Sequence, residues 1–193
     1  IWTKPVLVAI SSYERPDWIT VNLQAARVVL PPATQILVID DASSLSALEE
    51  IRAACREFGA ELMTRENRAG HYPGEVLAFN LVLQEALARG LRYCYKLSQR
   101  TVPLKTGWAV DLAADMLADD AAMACQRQWR SGELRNEITG LDAEKWADHR
   151  QRFTGPVTGV FERWIADLLQ ELFPYRLSPI DWFSRNRFQE NQH

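Results

Sequence analysis

Apolar residues along this chain follow two rhythms. Val6 to Ile10 and Ile36 to Ile39 are short continuous runs, each followed at once by a polar tip. Runs of that length, rich in β-branched residues, suit strands buried on both faces of a parallel sheet. Between them the spacing becomes helical: Ile19, Leu23, Ala26 and Leu30 fall at steps of four, three and four, and Pro31-Pro32 stops the pattern. A second helix is predicted from Leu45, Leu48, Ile51, Cys55 and Phe58, opened by Ser46 and Glu49 at capping-box spacing and closed by Gly59. Ala60 to Thr64 reads as a short strand, and Arg65 to Gly74 as a polar loop. A helix over Glu75 to Arg89 follows, with Val76, Phe79, Leu83 and Leu87 aligned, then a strand over Leu91 to Leu97. Lys105 to Ala118 is a further helix with Trp108, Leu112 and Met116 turned inward.

Four strands alternating with four helices predict an α/β domain with a mostly parallel central sheet flanked by helices. The rest of the chain is less regular. Ala121 to Trp129 alternates as a strand does, residues 131–155 are polar and poorly patterned, and a short helix is expected near Ala143 to Arg150. Trp164, Ile165, Leu168, Leu169, Leu172 and Phe173 form an amphipathic pattern that Pro174 ends.

Chemistry concentrates where the strands end. Asp40 and Asp41 follow the second apolar run directly, at the edge where open α/β sheets bind ligands. Either carboxylate alone would serve as well to start the next helix. The loop from Arg65 to Gly74, rich in Arg, Asn and Gly, is a better functional candidate than any core position.

Composition narrows the class. With 193 residues, 47% apolar and 24% charged, the chain fits one ordinary globular domain. A net charge of −3 argues against a general nucleic-acid binder. Cys55, Cys94 and Cys125 form no Cys-x-x-Cys pair, so neither zinc nor a disulfide framework is signalled, and a reducing, cytoplasmic setting is expected. No signal peptide or membrane-spanning run is read, which leaves room for peripheral membrane association. The chain starts at Ile1, as a part of a longer protein would. Walker A, Gly-x-Gly-x-x-Gly and Gly-x-Ser-x-Gly sequences are absent, and His71, His149 and His193 are isolated.

The order of short motifs resembles the family-2 glycosyltransferases of the GT-A fold. The first strand with its tip Ser11-Ser12-Tyr13, the turn Glu14-Arg15-Pro16-Asp17, and a second strand ending Asp40-Asp41-Ala42-Ser43 look like that family's opening. Asn67 to Gly70 and Ala78 to Asn80 are similar to its Asn-x-Gly and Ala-x-Asn elements. The resemblance implies a single GT-A-like domain over 1–193, with a nucleotide-binding half at 1–118 and an acceptor half at 119–193. It implies a nucleotide-sugar donor, a UDP-sugar by expectation, and a saccharide-type acceptor, with no nucleic acid. Tyr13 would lie against the base with Ser11 beside it. Asp41 would accept hydrogen bonds from the base, as an ionised carboxylate can. Asp40 would orient the loop or meet the ribose, and Arg15 and Arg68 would approach the diphosphate.

The pattern departs from the family at the end of the fourth strand. An Asp-x-Asp pair that binds Mg or Mn is usual there, whereas this chain has Ser98-Gln99-Arg100 before Thr101-Val102-Pro103. Ser and Gln are poor ligands for a hard cation and an arginine repels one, so no metal site is assigned. Three readings stay open: Arg100 replaces the cation, the domain has lost transfer and binds glycan or a protein partner, or Arg100 is a surface arginine. Ile180 to Arg185 resembles the element that supplies the general base of inverting enzymes, which makes Asp181 the candidate base and Trp182 a surface for the acceptor sugar.

Overall fold

A computed structural model describes residues 4–130 and 133–152. By contacts the chain divides into two compact units, Ile1–Lys145 and Trp146–His193. The first holds a six-stranded sheet: β1 (Leu7–Ser12), β2 (Gln35–Asp40), β3 (Glu61–Thr64), β4 (Tyr93–Leu97), β5 (Met123–Arg130) and β6 (Glu133–Asp142). Helices α1 (Pro16–Val29), α2 (Leu45–Phe58), α3 (His71–Ala88) and α4 (Trp108–Ala118) connect the first five strands, and α5 (Ala143–Arg152) follows β6. The strand order is β3-β2-β1-β4-β6-β5. Strands β3, β2, β1 and β4 are parallel, and β6 runs antiparallel to both β4 and β5.

Strand alternation divides the core between two faces. Val6, Val8, Ile10, Val38, Tyr95 and Leu97 pack with Ile19 and Leu23 of α1, Ile51 of α2 and Met116 of α4. The opposite face carries Ala9, Ser11 and Lys96. There Glu75 of α3 pairs with the buried Lys96 and the Phe79 ring centre lies 5.4 Å from its amine. A charge on a central strand is tolerated because a half-buried counter-ion lies directly against it.

Tyr95 shows how tightly the first face is fitted. Its hydroxyl donates to the Ala109 carbonyl at 2.5 Å, and its ring meets Trp108 edge to face at 5.2 Å. Gly140 of β6 lies against that ring: a Cβ there would stand 2.8 Å from Tyr95 Cε1.

Several expectations need correction. β6 lies in the stretch that showed no strand pattern. α3 starts at His71, four residues before Glu75, because Pro73 sits in its first turn, where a missing N–H costs nothing. The start of α2 is set at Ser44 rather than by a Ser46–Glu49 box, and Leu45 is 82% exposed rather than part of the apolar face. Leu87 is likewise exposed. Gly59 ends α2 as expected, in the left-handed region at φ 63°.

Candidate functional site

The chain leaves β1 toward β2 on one side and returns to β4 on the other, so the reversal of strand order falls between β1 and β4. Helices cross on opposite faces at such a point and a crevice opens outside the carboxyl ends of the strands. Four loops surround it, following β1, β2, β3 and β4. Ser11, Tyr13, Arg15, Asp40, Asp41, Arg68 and Arg100 all lie on these loops or the strand ends that feed them. Asp181 and Trp182 fall outside the described residues.

The loops after β1 and β2 are stitched together. Asp40 is fully buried, and its carboxylate accepts the Ser43 amide at 2.8 Å and the Ser43 hydroxyl at 2.5 Å. Ser43 Oγ in turn accepts the Glu14 amide at 2.9 Å. Glu14 returns the contact, its carboxylate accepting the Ser44 amide at 2.5 Å and the Ser44 hydroxyl at 2.9 Å. Asp40 therefore shapes the loop, and Glu14 satisfies an amide at the start of α2.

Asp41 organises the loop after β3. Its Oδ1 accepts Arg65 Nη1 at 2.9 Å and the Ala69 amide at 3.0 Å, and its Oδ2 accepts the Gly70 amide at 3.0 Å. Arg65 also donates to the Gly74 carbonyl at 3.2 Å. Both Asp41 oxygens are thus engaged by the chain itself. The loop they fix carries Arg68, whose guanidinium carbon lies 4.0 Å from the centre of the Tyr13 ring. Tyr13 and Asp41 are joined through this loop.

The other side of the crevice places two arginines around one indole. Arg15 lies 4.0 Å from the centre of the Trp18 ring, and Arg100 lies 6.0 Å from the same centre. Arg15 makes a two-pronged ion pair with Asp17, at 2.9 and 2.6 Å, and that hydrogen bond holds the Asp17 carboxyl below its usual range. Arg100 is exposed and forms no ion pair among the described residues. Ser11 Oγ, on the face shared with Lys96, is buried with no hydrogen-bond partner among the described residues.

Gln99 spans the reversal point. Its Oε1 accepts the Tyr13 amide at 2.9 Å, and its carbonyl accepts Asn22 Nδ2 at 2.7 Å. The end of β4 therefore suits a divalent cation poorly: it offers a serine hydroxyl, a glutamine oxygen already in use, and a guanidinium. Among the described residues no group of three or more His, Cys, Asp or Glu is placed to hold a metal ion.

Sequence reasoning found the loops but missed several of their partners. Trp18 was legible, since it lies three residues beyond Arg15 and so on the first turn of α1. Gln99 and Glu14 act on backbone amides across the fold, which leaves no periodic trace.

No protein-family model matches this sequence, and no curated protein matches it. Solved structures do match the fold. TarS of S. aureus superposes with a TM-score of 0.56 at 14% identity, over 76% of this chain and 30% of TarS. The mannosyltransferase PcManGT of Pyrobaculum calidifontis, solved with GDP-Man and Mn2+, gives 0.58 at 14% identity, over 83% of this chain and 51% of its own. A cytidylyltransferase of Leptospira borgpetersenii gives 0.52 at 11% identity, over 86% and 71%. This chain thus spans 30% of the length of TarS and about half of that of PcManGT. The fold is GT-A: a mostly parallel central sheet flanked by helices.

Proposed function

We propose that this domain binds a nucleotide sugar in the crevice between β1 and β4 and transfers the sugar to a saccharide-type acceptor with inversion. The observation that carries the reading is the pairing of an aromatic ring under one guanidinium, Tyr13 and Arg68, with Arg100, which forms no ion pair among the described residues and lies near the Trp18 ring that Arg15 also covers, on loops of the same strand edge. An aromatic ring suits a nucleobase, and guanidinium forks suit a diphosphate. The donor is a UDP-sugar in this reading, and the protein works in the cytoplasm.

The acceptor hydroxyl attacks the anomeric carbon and gives its proton to Asp181. The bond to the nucleoside diphosphate breaks, and the leaving group departs with the electron pair. Arg100 takes up that growing charge where a metal would otherwise act, and Arg15 and Arg68 approach the diphosphate. Trp182 supports the acceptor sugar, and Ser11 offers its hydroxyl to the nucleoside. Asp40 and Asp41 act chiefly by holding the loops, with one lone pair of Asp41 left for the base.

Calorimetric titration with UDP and UDP-sugars, with and without Mn2+, tests this. Binding that does not need the metal supports it. Failure of all of them to bind overturns it. One observation favours a second reading, a non-catalytic domain that binds glycan or a protein partner: both Asp41 oxygens are already engaged by Arg65, Ala69 and Gly70. Unchanged turnover in Asp181→Asn would remove the base assignment.

A further inference from the structure

The residues at the end of β4 fit a metal ion poorly, yet they are among the best-anchored in the crevice. We infer that Gln99 is a positioning residue that fixes the nucleobase platform and the diphosphate cation in register by direct hydrogen bonds. The inference rests on the nucleotide-sugar reading above.

Three contacts carry it. The Gln99 side chain accepts the amide of Tyr13, 86 residues away along the chain. The Gln99 carbonyl accepts Asn22 Nδ2, and Asn22 is buried on α1, where the same nitrogen also donates to the Trp18 carbonyl at 3.1 Å. The Arg100 amide donates to Ser98 Oγ at 3.3 Å. The Gln99 carbonyl and the Arg100 amide belong to one planar peptide unit, so the two bonds that hold it also fix the plane from which the Arg100 side chain departs. One residue thus grips the loop of Tyr13 with its side chain and the stem of Arg100 with its main chain.

The chemistry of the contact matters. The Tyr13 amide needs an acceptor, and an amide oxygen supplies one without adding charge beside a diphosphate. A carboxylate in the same place would hold the amide equally well but would repel the phosphates unless a cation came with it. Glutamine is therefore the residue that keeps the latch where no metal is used.

The test compares Gln99→Leu, which lacks the acceptor at similar size, with Gln99→Glu, which keeps it. Hydrogen exchange at the Tyr13 amide reads the latch, and calorimetry with uridine and with UDP reads its consequence. In Gln99→Leu the Tyr13 amide exchanges faster, and uridine and UDP both weaken by about tenfold, as expected for a lost anchoring hydrogen bond. In Gln99→Glu the protection and the uridine affinity stay at wild-type level while UDP alone weakens. Unchanged Tyr13 exchange in Gln99→Leu, or unchanged uridine affinity, overturns the inference. Should the leucine variant not fold, loss of Tyr13 protection in Gln99→Glu overturns it instead. If wild type binds neither uridine nor UDP, the donor reading fails and the role assigned to Gln99 fails with it. Tyr13 protection then reports only whether the hydrogen bond itself exists.

Discussion

The guanidinium of Arg68 lies 4.0 Å from the centre of the Tyr13 ring, held there by a loop that hangs from the carboxylate of Asp41. The loop after β3 thus reaches across β2 to the loop after β1, and the ring keeps a cation beside it before any ligand arrives. Arg68 is exposed, so the contact itself contributes only about 0.5–1 kcal/mol. In the nucleotide-sugar reading its larger effect is on the diphosphate. Arg68→Ala is expected to weaken UDP by about tenfold while changing uridine affinity by no more than about twofold, as for loss of one charge-assisted contact. Calorimetry with the two ligands in parallel checks this, and an equal loss for both would argue that Arg68 acts on the base.

Asp41→Asn should destabilise the fold as well as the site. The amide would keep one acceptor oxygen but present a donor either to the Gly70 amide or to both Arg65 and the Ala69 amide. Leaving those donors unmet costs about 1–3 kcal/mol in a partly buried setting. A shift of the urea midpoint with an unchanged slope would show it, and a variant as stable as wild type would show that the loop holds without this carboxylate.

Gly140→Ala offers a test remote from the crevice. The new methyl would meet Tyr95 at 2.8 and 3.0 Å and Met116 Sδ at 3.3 Å. Tyr95 cannot retreat, because its hydroxyl is bonded to Ala109 and its ring to Trp108. Overpacking of this kind costs about 1–3 kcal/mol. Thermal unfolding measures the loss, and a neutral result would mean that β6 shifts to accommodate the methyl.

Cys55 carries a pH dependence. Burial, with a smaller contribution from Asp40, pushes its thiol up to about 11 from an ordinary 9.0. Below pH 9 both folded and unfolded chains keep the proton and the contribution is fully present. Between pH 9 and about 11 the unfolded chain releases the proton while the folded chain retains it, so stability falls as pH rises. Denaturant midpoints at pH 8 and pH 10.5 are expected to drop further for wild type than for Cys55→Ala. Cys94 is pushed up in the same direction by complete burial. In a Cys125→Ser background neither thiol should react with a thiol reagent until the chain unfolds.

Strands β1 and β2 were legible because they are buried on both faces, so Val6 to Ile10 and Ile36 to Ile39 had to be continuous apolar runs. β6 was not, because an antiparallel strand carrying Glu133, Arg135, Asn136, Glu137 and Thr139 shows no such run. The start of α3 was hidden by Gly70, Pro73 and Gly74, residues that punctuate loops but that a first helical turn also admits. In the site, positions were readable and partners were not. Asp40 and Asp41 stood out as a pair at a strand end, yet one binds Ser43 and the other Arg65, Ala69 and Gly70. Backbone amides are present at almost every residue, so the sequence carries no mark of which ones a carboxylate will claim.

The placement of β1 between β2 and β4 has a consequence for the order of assembly. β1, β2 and β3 follow one another closely and pair as neighbours, so they can form while the chain is short. β4 joins β1 from the other side, across a span like the 86 residues between Tyr13 and Gln99, and closing a loop of that length has an entropic cost that only native contacts repay. The crevice is therefore born late. Until Leu97 has docked there is half a sheet with an open edge at β1, and a ribosome-bound chain shorter than that carries every residue of the Asp41 loop but no site.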